Sequence, residues 1–422
     1  MFCQKSSCYA FILLEEYQMK IWKLAAGLIF SIASCLGHAA EPIKIAVTGP
    51  FSGSSSPMGL SMLAGVRLAI EEMNLGGGLF GRSLLLVERD DKADPETGKQ
   101  VVEELIKREK VVAGLGFANT GVALAAQKFY QEARIPVINN VATGGAITNQ
   151  FLPPKYPDNY IFRNSASDGI QSTMIIREAV ERRNFKKVAI FHDTTAYGDL
   201  GSKQLIEQLA KHQLKPVAIE SFALGTTDMS AALQRAKAAG AEILLCYGIG
   251  PELAAIANSK AKIGWNVAMI GSWPLSLPNF IENARKNAEG VRMPQTFIES
   301  LNNYHRTAFI SAYHNANKTT HIPSGVSAAQ GYDSALLLIA AIIQAGNTDG
   351  PKIREALENL KNPIHGVIST YDHPFTHDDH EAISENMVFM GEIKNGKIIF
   401  AYPEDLRRSL ISQKKRQAPA KD

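Results

Sequence analysis

The sequence predicts an α/β protein made of two doubly wound lobes, each with a parallel sheet. Short apolar strands alternate with amphipathic helices from residue 43 onward, a pattern typical of parallel sheets covered on both faces. The alternation restarts after a linker rich in Pro and Tyr at 152–160. A chain of 422 residues is also too long for one typical core. Two lobes explain all three observations.

The first block begins with an apolar strand at Ile43–Val47. Ser56 and Pro57 then predict a helix start, because serine caps helices and proline is tolerated in the first turn. The glycines at 76–78 should end that helix. Further strands of this block are expected at 84–88, 111–115 and 136–139, and helices at 95–108 and 120–134.

The second block repeats the alternation, and the chain after residue 295 becomes more helical. Strands are expected at 187–192, 217–222, 243–247, 267–271 and near 386–401. Helices are expected at 169–183, 199–212, 228–239, 251–262, 324–345 and 351–360. Ligands bind beyond the carboxyl ends of the strands in open parallel sheets. The strand-to-helix loops are therefore the places to look for a site.

The charge distribution argues against nucleic acid as a partner. The formal net charge of +3 combines a basic tail at 407–422 with a mildly acidic body at 41–406. No basic stripe marks the body, so the electrostatic footprint of a nucleic-acid protein is missing. We expect the tail to be a frayed, solvated terminus, with contact to a membrane or a partner as the alternative.

The N-terminus is typical of an export signal. Lys20 and Lys23 precede an apolar run at 24–36, which is too short to span a bilayer. Cleavage after Ala39 or Ala40 is expected, which makes residues 1–40 a signal peptide with a possible N-terminal extension and indicates a periplasmic protein. A lipoprotein signal ending at Cys35, which would be acylated, is the alternative.

No later apolar run is expected to be long enough for a membrane helix, and only Cys246 remains in the body of the chain. It lies within an apolar strand, where a buried and inert thiol is expected. Gly76, Gly78 and Gly81 have the spacing of a dinucleotide-binding fingerprint. That fingerprint follows a strand and opens a helix, whereas these glycines follow a helix and precede a strand. No cofactor is predicted.

Two polar segments could indicate an enzyme. His373, His377 and His380 lie close together in the sequence with two aspartates, and these residue types bind zinc. The segment also contains turn-forming residues, so a solvated loop is favoured over a metal site or a metal-dependent hydrolase. The acidic segment 90–94 is interpreted as a helix cap rather than an acid–base pair. We therefore predict that the protein is not an enzyme.

The loops 116–121 and 140–148 offer a carboxylate site. Both follow strands of the first block, and both combine hydroxyl or amide side chains with glycines that permit close backbone approach. Each leads to a helix start, where free N–H groups and the helix dipole favour an anion. Helix capping alone by Thr120 or Thr143 is the alternative interpretation.

Short landmarks in order along the chain resemble the branched-chain amino-acid (leucine/isoleucine/valine) binding proteins, the periplasmic receptors of ABC importers. These landmarks are Gly49-Pro50, Ser52-Gly53, Gly77-Gly78, Gly81-Arg82, Asp90-Asp91, Asp94-Pro95, Ala142-Thr143, His192-Asp193, Tyr197-Gly198, Tyr332-Asp333 and Asp379-His380. The likeness spans Ile43 to about Tyr402. It implies a type I periplasmic binding fold, with three crossings between the lobes near 164–167, 292–297 and 368–374.

The resemblance implies a domain layout and a set of binding residues. Lobe one would comprise 41–165 and 297–370, lobe two 166–296 and 371–406, and the tail 407–422. The carboxylate of a small solute would be held by lobe one through Asn119, Thr120, Val141 and Thr143, beside Met58. Lobe two would close over it by hinge motion with Tyr197, Ile249 and Trp273. Membrane permease subunits of an ABC importer would be the partners.

Departures from the family pattern leave three classes of ligand to consider. Receptors for ordinary amino acids commonly carry a carboxylate where Trp273 stands, and it neutralises the ligand ammonium. Trp273 offers at most a cation–π contact of about 0.5–2 kcal/mol. A second aromatic position is lost at Ile249 or Gly250, and Ala93 and Asn119 replace the family's cysteines. A branched-chain or aromatic amino acid, an aromatic or other organic acid without the ammonium group, and an amide sensed by the same fold all remain as ligands.

Overall fold

The computed structural model describes residues 40–416. The predicted export signal, including Cys35, lies outside the described residues, as do positions 417–422.

Lobe one is built on a five-stranded parallel sheet with the order β2-β1-β3-β4-β5. Its strands are β1 (Ile43–Gly49), β2 (Leu84–Asp90), β3 (Ala113–Gly116), β4 (Val137–Asn139) and β5 (Ile161–Arg163). The helices between them are α1 (Ser56–Leu75), α2 (Pro95–Lys107), α3 (Thr120–Ala133) and α4 (Ala146–Asn149). Asp94 caps α2 as predicted, since its carboxylate accepts the Thr97 N–H at 2.7 Å.

Lobe two is built on a seven-stranded sheet with the order β14-β13-β10-β9-β8-β6-β7. Its first strands are β6 (Val188–Asp193), β7 (Ala218–Phe222), β8 (Ile243–Tyr247), β9 (Ala268–Gly271) and β10 (Arg292–Gln295). The helices between them are α5 (Asp168–Ile176, continued by a π-helical turn), α6 (Ala196–Lys211), α7 (Ser230–Ala238), α8 (Glu252–Lys262) and α9 (Pro278–Ala284).

The C-terminal part of the chain serves both lobes. Lobe one receives α10 (Tyr304–Asn317), α11 (Gly325–Ala345), α12 (Gly350–Glu358) and the small hairpin of β11 (Ile364–His365) and β12 (Thr370–Tyr371). Lobe two receives the antiparallel strands β13 (Phe389–Lys394) and β14 (Lys397–Phe400), followed by α13 (Pro403–Ser409). The predicted fold class, two doubly wound lobes joined by a three-segment hinge, is confirmed.

Two local expectations differ from the structure. The alternation does not restart at 152–160, because β5 at Ile161–Arg163 still pairs with β4 in lobe one. Helix α10 was not predicted, because its buried apolar stripe is short and consists of Phe309, Ile310 and Tyr313. Its N-terminal signal was nevertheless present, since the Asn303 side chain accepts the Arg306 N–H at 2.9 Å.

The third crossing lies later in the chain than the expected 368–374. The backbone of Arg163 donates to His380 O and accepts from the Ala382 N–H, each at 2.9 Å. This segment therefore still runs beside β5 of lobe one, and the chain crosses to β13 only after residue 382. We propose that lobe one extends to about this point, beyond the boundary at 370 expected from the resemblance.

Asp333 on α11 fastens the small hairpin to lobe one. Its fully buried carboxylate accepts the N–H groups of Val367 and Ile368 at 2.7 and 2.9 Å. It also accepts the hydroxyl of Tyr371 at 2.9 Å. Burial raises the pKa of Asp333 to about 6 despite these donors.

Helix α11 is the core helix of lobe one. Its 21 residues have a mean hydropathy of 1.5 over their most apolar stretch, which is long and apolar enough to cross a bilayer. The expectation that no later segment has that length is therefore wrong. However, 78% of this stretch is buried inside the protein, so its apolar character is explained by packing.

Helices α1 and α11 pack with their backbones close together because glycines face the contact. A Cβ atom added to Gly65 of α1 would lie 2.0 Å from the carbonyl oxygen of Ala328. A Cβ atom added to Gly331 of α11 would lie 2.3 Å from Met62 O. Neither backbone atom can yield without separating the two helices.

We predict that Gly65→Ala lowers the free energy of unfolding by about 1–3 kcal/mol through overpacking. Helix propensity alone would raise stability by roughly 0.5–1 kcal/mol, so the sign of the change identifies the dominant effect. Denaturant unfolding followed by circular dichroism measures it. Gly145→Ala is the matched control, since its Cβ would meet nothing within 4 Å. Equal stabilities of the two variants would contradict the close packing.

Candidate functional site

A small cavity of about 10 Å³, which is room for about one water molecule, lies between the two lobes. Lobe one and lobe two both line it, and the residues are Met58, Ala118, Asn119, Thr120, Val141, Thr143, Tyr197, Ile249, Trp273 and Pro274. The lobes are close together around it, because Asn279 Nδ2 of lobe two donates to Ser54 O of lobe one at 3.2 Å. The cavity therefore occupies a shut cleft.

The start of α3 forms one end of the cavity. Strand β3 ends at Gly116, and α3 begins at Thr120 with Asn119 as its N-cap. The first bond within the helix runs from the Ala123 N–H to Asn119 O, so the N–H groups of the first turn have no partner within the helix. The helix dipole adds positive potential at the same point. Both features favour an anion.

Polar atoms in the cavity wall lack partners. Asn119 Oδ1, Thr143 Oγ1 and the Tyr197 hydroxyl are buried and make no well-formed hydrogen bond in the described part of the chain, although Thr143 lies close to the Asp168 carboxyl group and Tyr197 lies close to Ser272. Thr120 differs, because its hydroxyl accepts the Gly144 N–H at 3.2 Å and so joins the two loops. A buried polar group without a partner costs about 1–3 kcal/mol. A bound solute with matching groups would recover that cost.

Asp193 holds two loops of lobe two in place. This buried carboxylate accepts the N–H and hydroxyl of Thr195, the N-cap of α6, which stands two positions before Tyr197. Its other oxygen accepts the Ile249 N–H at 2.9 Å. One side chain thus positions both loops, and burial raises the pKa of Asp193 above its usual value.

Aromatic rings form the lobe-two side of the cavity. Tyr197 packs on Tyr247 with ring centroids 4.9 Å apart, and burial raises the pKa of Tyr197 well above its usual value. Tyr197 therefore stays a neutral phenol. Trp273 begins a 3₁₀ turn that runs from Trp273 to Ser276. Its backbone N–H donates to Gln171 Oε1 at 3.1 Å, which fixes the start of that turn. The large apolar area of these rings suits an apolar or aromatic solute.

None of the ten lining residues carries a charge. Asp168 is close by, since its N–H donates to Thr143 O at 2.9 Å, but it is fully buried and does not line the cavity. Its Oδ1 accepts the Tyr247 hydroxyl at 2.8 Å. Burial raises the pKa of Asp168, which reflects an environment unfavourable to charge.

A second cavity of about 10 Å³ adjoins the first and shares Thr143 and Trp273 with it as walls. Its other walls are Ala166, Gln171, Pro294, Thr296, Val326, Gln330 and Val388. Gln330 Nε2 donates to Thr296 Oγ1 at 3.3 Å, whereas its Oε1 finds no partner among the described residues. These walls are also uncharged, so this space too is unsuited to an ionic group.

The structure brings together all eight residues predicted to bind the solute. Ala118 and Pro274 also line the cavity and were not predicted. Each is a direct neighbour of a predicted residue, so loop continuity was the available signal. Asp193 and Gln330 were missed as well, because nothing local in the sequence shows which loops they reach.

The histidine segment is only partly the solvated loop that was expected. His373 and His377 are exposed, but His380 is buried and stacks on Phe162 with ring centroids 3.9 Å apart. Its Nδ1 donates to Ile161 O at 2.8 Å, and its Nε2 lies 3.2 Å from Glu358 Oε1. In residues 40–416, no three His, Cys, Asp or Glu side chains converge to hold a metal ion. Cys246 is buried, and burial raises its pKa to about 12, which suits an inert thiol.

Comparisons with known proteins agree with this geometry. Residues 42–397 match the periplasmic binding protein family. A leucine-, isoleucine-, valine-, threonine- and alanine-binding protein of Pseudomonas aeruginosa is 25% identical over 346 residues, covering 82% of this chain and 89% of the relative. A branched-chain amino acid transporter substrate binding protein from Streptococcus pneumoniae, solved with isoleucine, superimposes with a TM-score of 0.74 at 26% identity, covering 85% and 97% of the two chains.

The fold and the cleft thus define a type I periplasmic binding protein of the kind that serves ABC transporters. The chain belongs to the periplasmic binding protein family. Its homologues are solute receptors and not enzymes. A Rhodopseudomonas palustris solute binding protein in complex with benzoate shares the fold, with a TM-score of 0.73 at 22% identity over 85% of this chain and 95% of that one.

Asp91, in the acidic segment after β2, has a structural role. The Asp91 side chain is fully buried, and its Oδ1 accepts the Ala93 N–H at 2.9 Å. Its Oδ2 finds no partner within the described chain. Burial, with Asp90 and Asp94 nearby, raises the pKa of Asp91 to about 7.

We predict that the free energy of unfolding falls as pH rises from about 4 to 7, by about 1–4 kcal/mol through Asp91. The folded state keeps a proton over this range that the unfolded state has already lost, so raising the pH favours unfolding. Asp91→Asn should remove this part of the pH dependence, as measured by urea unfolding at several pH values. The exposed Asp378→Asn is the control. An unchanged slope in Asp91→Asn would contradict the prediction.

Proposed function

We propose that this protein is the receptor of an ABC importer for a small apolar carboxylate, with aromatic acids favoured. The observation that carries this proposal is the asymmetry of the cleft cavity. One end presents a helix start and the hydroxyl of Thr143, and the rest is uncharged and largely aromatic or aliphatic. The proposed ligand matches both halves.

The anionic end of the solute would be held by lobe one. Thr143 Oγ1 and the first-turn N–H groups of α3 are donors, and hydrogen bonds to a charged partner contribute about 1.5–3 kcal/mol each. The helix dipole would add about 0.3–2 kcal/mol. Asn119 and Thr120 would shape this end, and Met58 and Val141 would pack beside it.

The apolar body of the solute would lie against lobe two. Tyr197, Ile249 and Trp273 offer ring faces and an aliphatic surface in the proposed closed state. Each contact of this kind depends on the cleft being shut. The ligand would therefore favour the closed state through its differential affinity for it.

The absence of charge in the cavity wall disfavours an α-ammonium group. A buried cation without an anionic partner costs several kcal/mol, and the contact that Trp273 could offer returns only about 0.5–2 kcal/mol. The neighbouring cavity around Gln330 gives an ammonium no anion either. An organic acid without the amino group avoids this cost.

An amino acid is the second candidate, and the named relatives support it. The Pseudomonas protein is a receptor for branched-chain and other small amino acids, and the Streptococcus structure holds isoleucine. The periplasmic location of such receptors also supports an exported protein here, consistent with the predicted signal.

Matched ligand pairs that differ only in the ammonium group test the proposal. We predict that 3-phenylpropanoate binds at least about tenfold more tightly than phenylalanine, a difference of about 1.4 kcal/mol. The pair of 4-methylpentanoate and leucine should show the same order, and benzoate serves as a rigid aromatic probe. Isothermal titration calorimetry gives the dissociation constants. Tighter binding of the amino acids would contradict the proposal, as would binding of none of these acids.

The variant Trp273→Glu provides the internal control. It supplies the carboxylate that the cavity wall lacks. It should therefore weaken binding of the acids through charge repulsion and strengthen binding of the amino acids. A loss of affinity for both classes by the same factor would show that Trp273 acts only through its bulk.

A further inference from the structure

The described part of the basic tail is not frayed, in contrast to the expectation from sequence. Residues 410–416, here called the strap, leave α13 in lobe two and lie along residues 369–384. The Thr370 N–H donates to Gln413 O at 3.0 Å, and the hydroxyls of Thr370 and Ser412 are 2.9 Å apart. The strap therefore lies beside the first residue of β12 and is joined to it by a backbone bond and a hydroxyl contact.

Lys415 is the best-held residue of the strap. Its ammonium donates to Pro374 O at 2.8 Å, to Asp379 Oδ2 at 2.6 Å and to Glu381 O at 2.5 Å. An ammonium has three donors, and all three are used. The Lys415 side chain is only 9% exposed, so these acceptors replace its water. Lys414 adds an exposed pair with Asp372 at 2.8 Å.

The acceptors of Lys415 belong to lobe one. The Arg163 guanidinium binds the Glu381 carboxylate at 2.6 and 2.8 Å, and the Arg163 backbone pairs with the segment that contains it. His380 stacks on Phe162 of β5. The loop that receives Lys415 is thus fastened to the sheet of lobe one.

The other end of the strap belongs to lobe two. Asp405 of α13 accepts the Met390 N–H of β13 at 3.1 Å, and Arg408 donates to Val388 O at 2.9 Å. At the junction, Asn302 Nδ2 donates to Ser409 Oγ at 2.6 Å. The chain therefore passes between the lobes a fourth time, in addition to the three crossings of the hinge.

We propose that the strap restrains opening of the cleft and so sets the balance between open and closed receptor. Opening rotates the lobes about the hinge. The strap is fixed to α13 at one end, and at the other end Lys415 binds Pro374, Asp379 and Glu381. Opening must therefore stretch the strap or break these bonds. The match to the periplasmic binding protein family ends at residue 397, so this restraint lies beyond the part of the chain that the family defines.

The test is small-angle X-ray scattering of the ligand-free protein, which needs no knowledge of the solute. Three variants are compared with the wild type: deletion of residues 410–422, Lys415→Met, and the control Lys211→Met at the exposed end of α6. We expect the deletion to increase the radius of gyration although it removes mass. Lys415→Met should increase the radius of gyration by a smaller amount, and Lys211→Met should leave it unchanged.

The result that would overturn the proposal is a radius of gyration for Lys415→Met equal to that of the wild type. A lower melting temperature without a change in radius would show that the strap only stabilises the fold, and would overturn it equally. If the deletion does not fold, Lys415→Met and Asp379→Asn decide the question, since the first removes the three bonds of the ammonium and the second weakens its ion pair alone. Failure of this test leaves the ligand titrations unaffected, because no solute is present.

Discussion

The start of α3 is the feature on which the organisation of the cleft depends. Strands β3 and β4 are neighbours in one parallel sheet, so the loops after them leave at the same edge. Thr120 joins these loops through its bond with Gly144. The free N–H groups of α3 and the hydroxyl of Thr143 therefore face the same space. A parallel sheet concentrates positive potential there without using a single charged side chain.

The lobe opposite gains its order from buried carboxylates that line no cavity. Asp193 positions the loops of Tyr197 and Ile249, and Asp168 receives the Tyr247 hydroxyl behind Thr143. These carboxyl groups hold the loops in place, and the residues that line the cavity carry no charge. This division explains how a receptor of this family can lose the anion that pairs with an ammonium group while keeping the rest of its cleft.

Much of this arrangement could be predicted from the sequence because it is local. Capping by Asp94, the stop at the glycines of 76–78 and the strand-to-helix loops all follow from short patterns, and the eight candidate residues lie on such loops. The contacts that could not be predicted join distant parts of the chain. Nothing near Lys415 shows that its socket is at Pro374–Glu381, and a basic terminus is usually solvated. Helix α10 was missed because its buried apolar stripe is limited to Phe309, Ile310 and Tyr313.

The central claim is that a solute carboxylate is held at the start of α3 and by Thr143. Calorimetric titration of Thr143→Ala with the acid that binds the wild type best tests it most directly. The account predicts a loss of about tenfold or more, because a hydrogen bond to a charged group contributes about 1.5–3 kcal/mol, with stability to urea retained. Thr173→Ala is the control, since that hydroxyl donates to Gly169 O within α5. An affinity for the acid equal to that of the wild type would contradict the account.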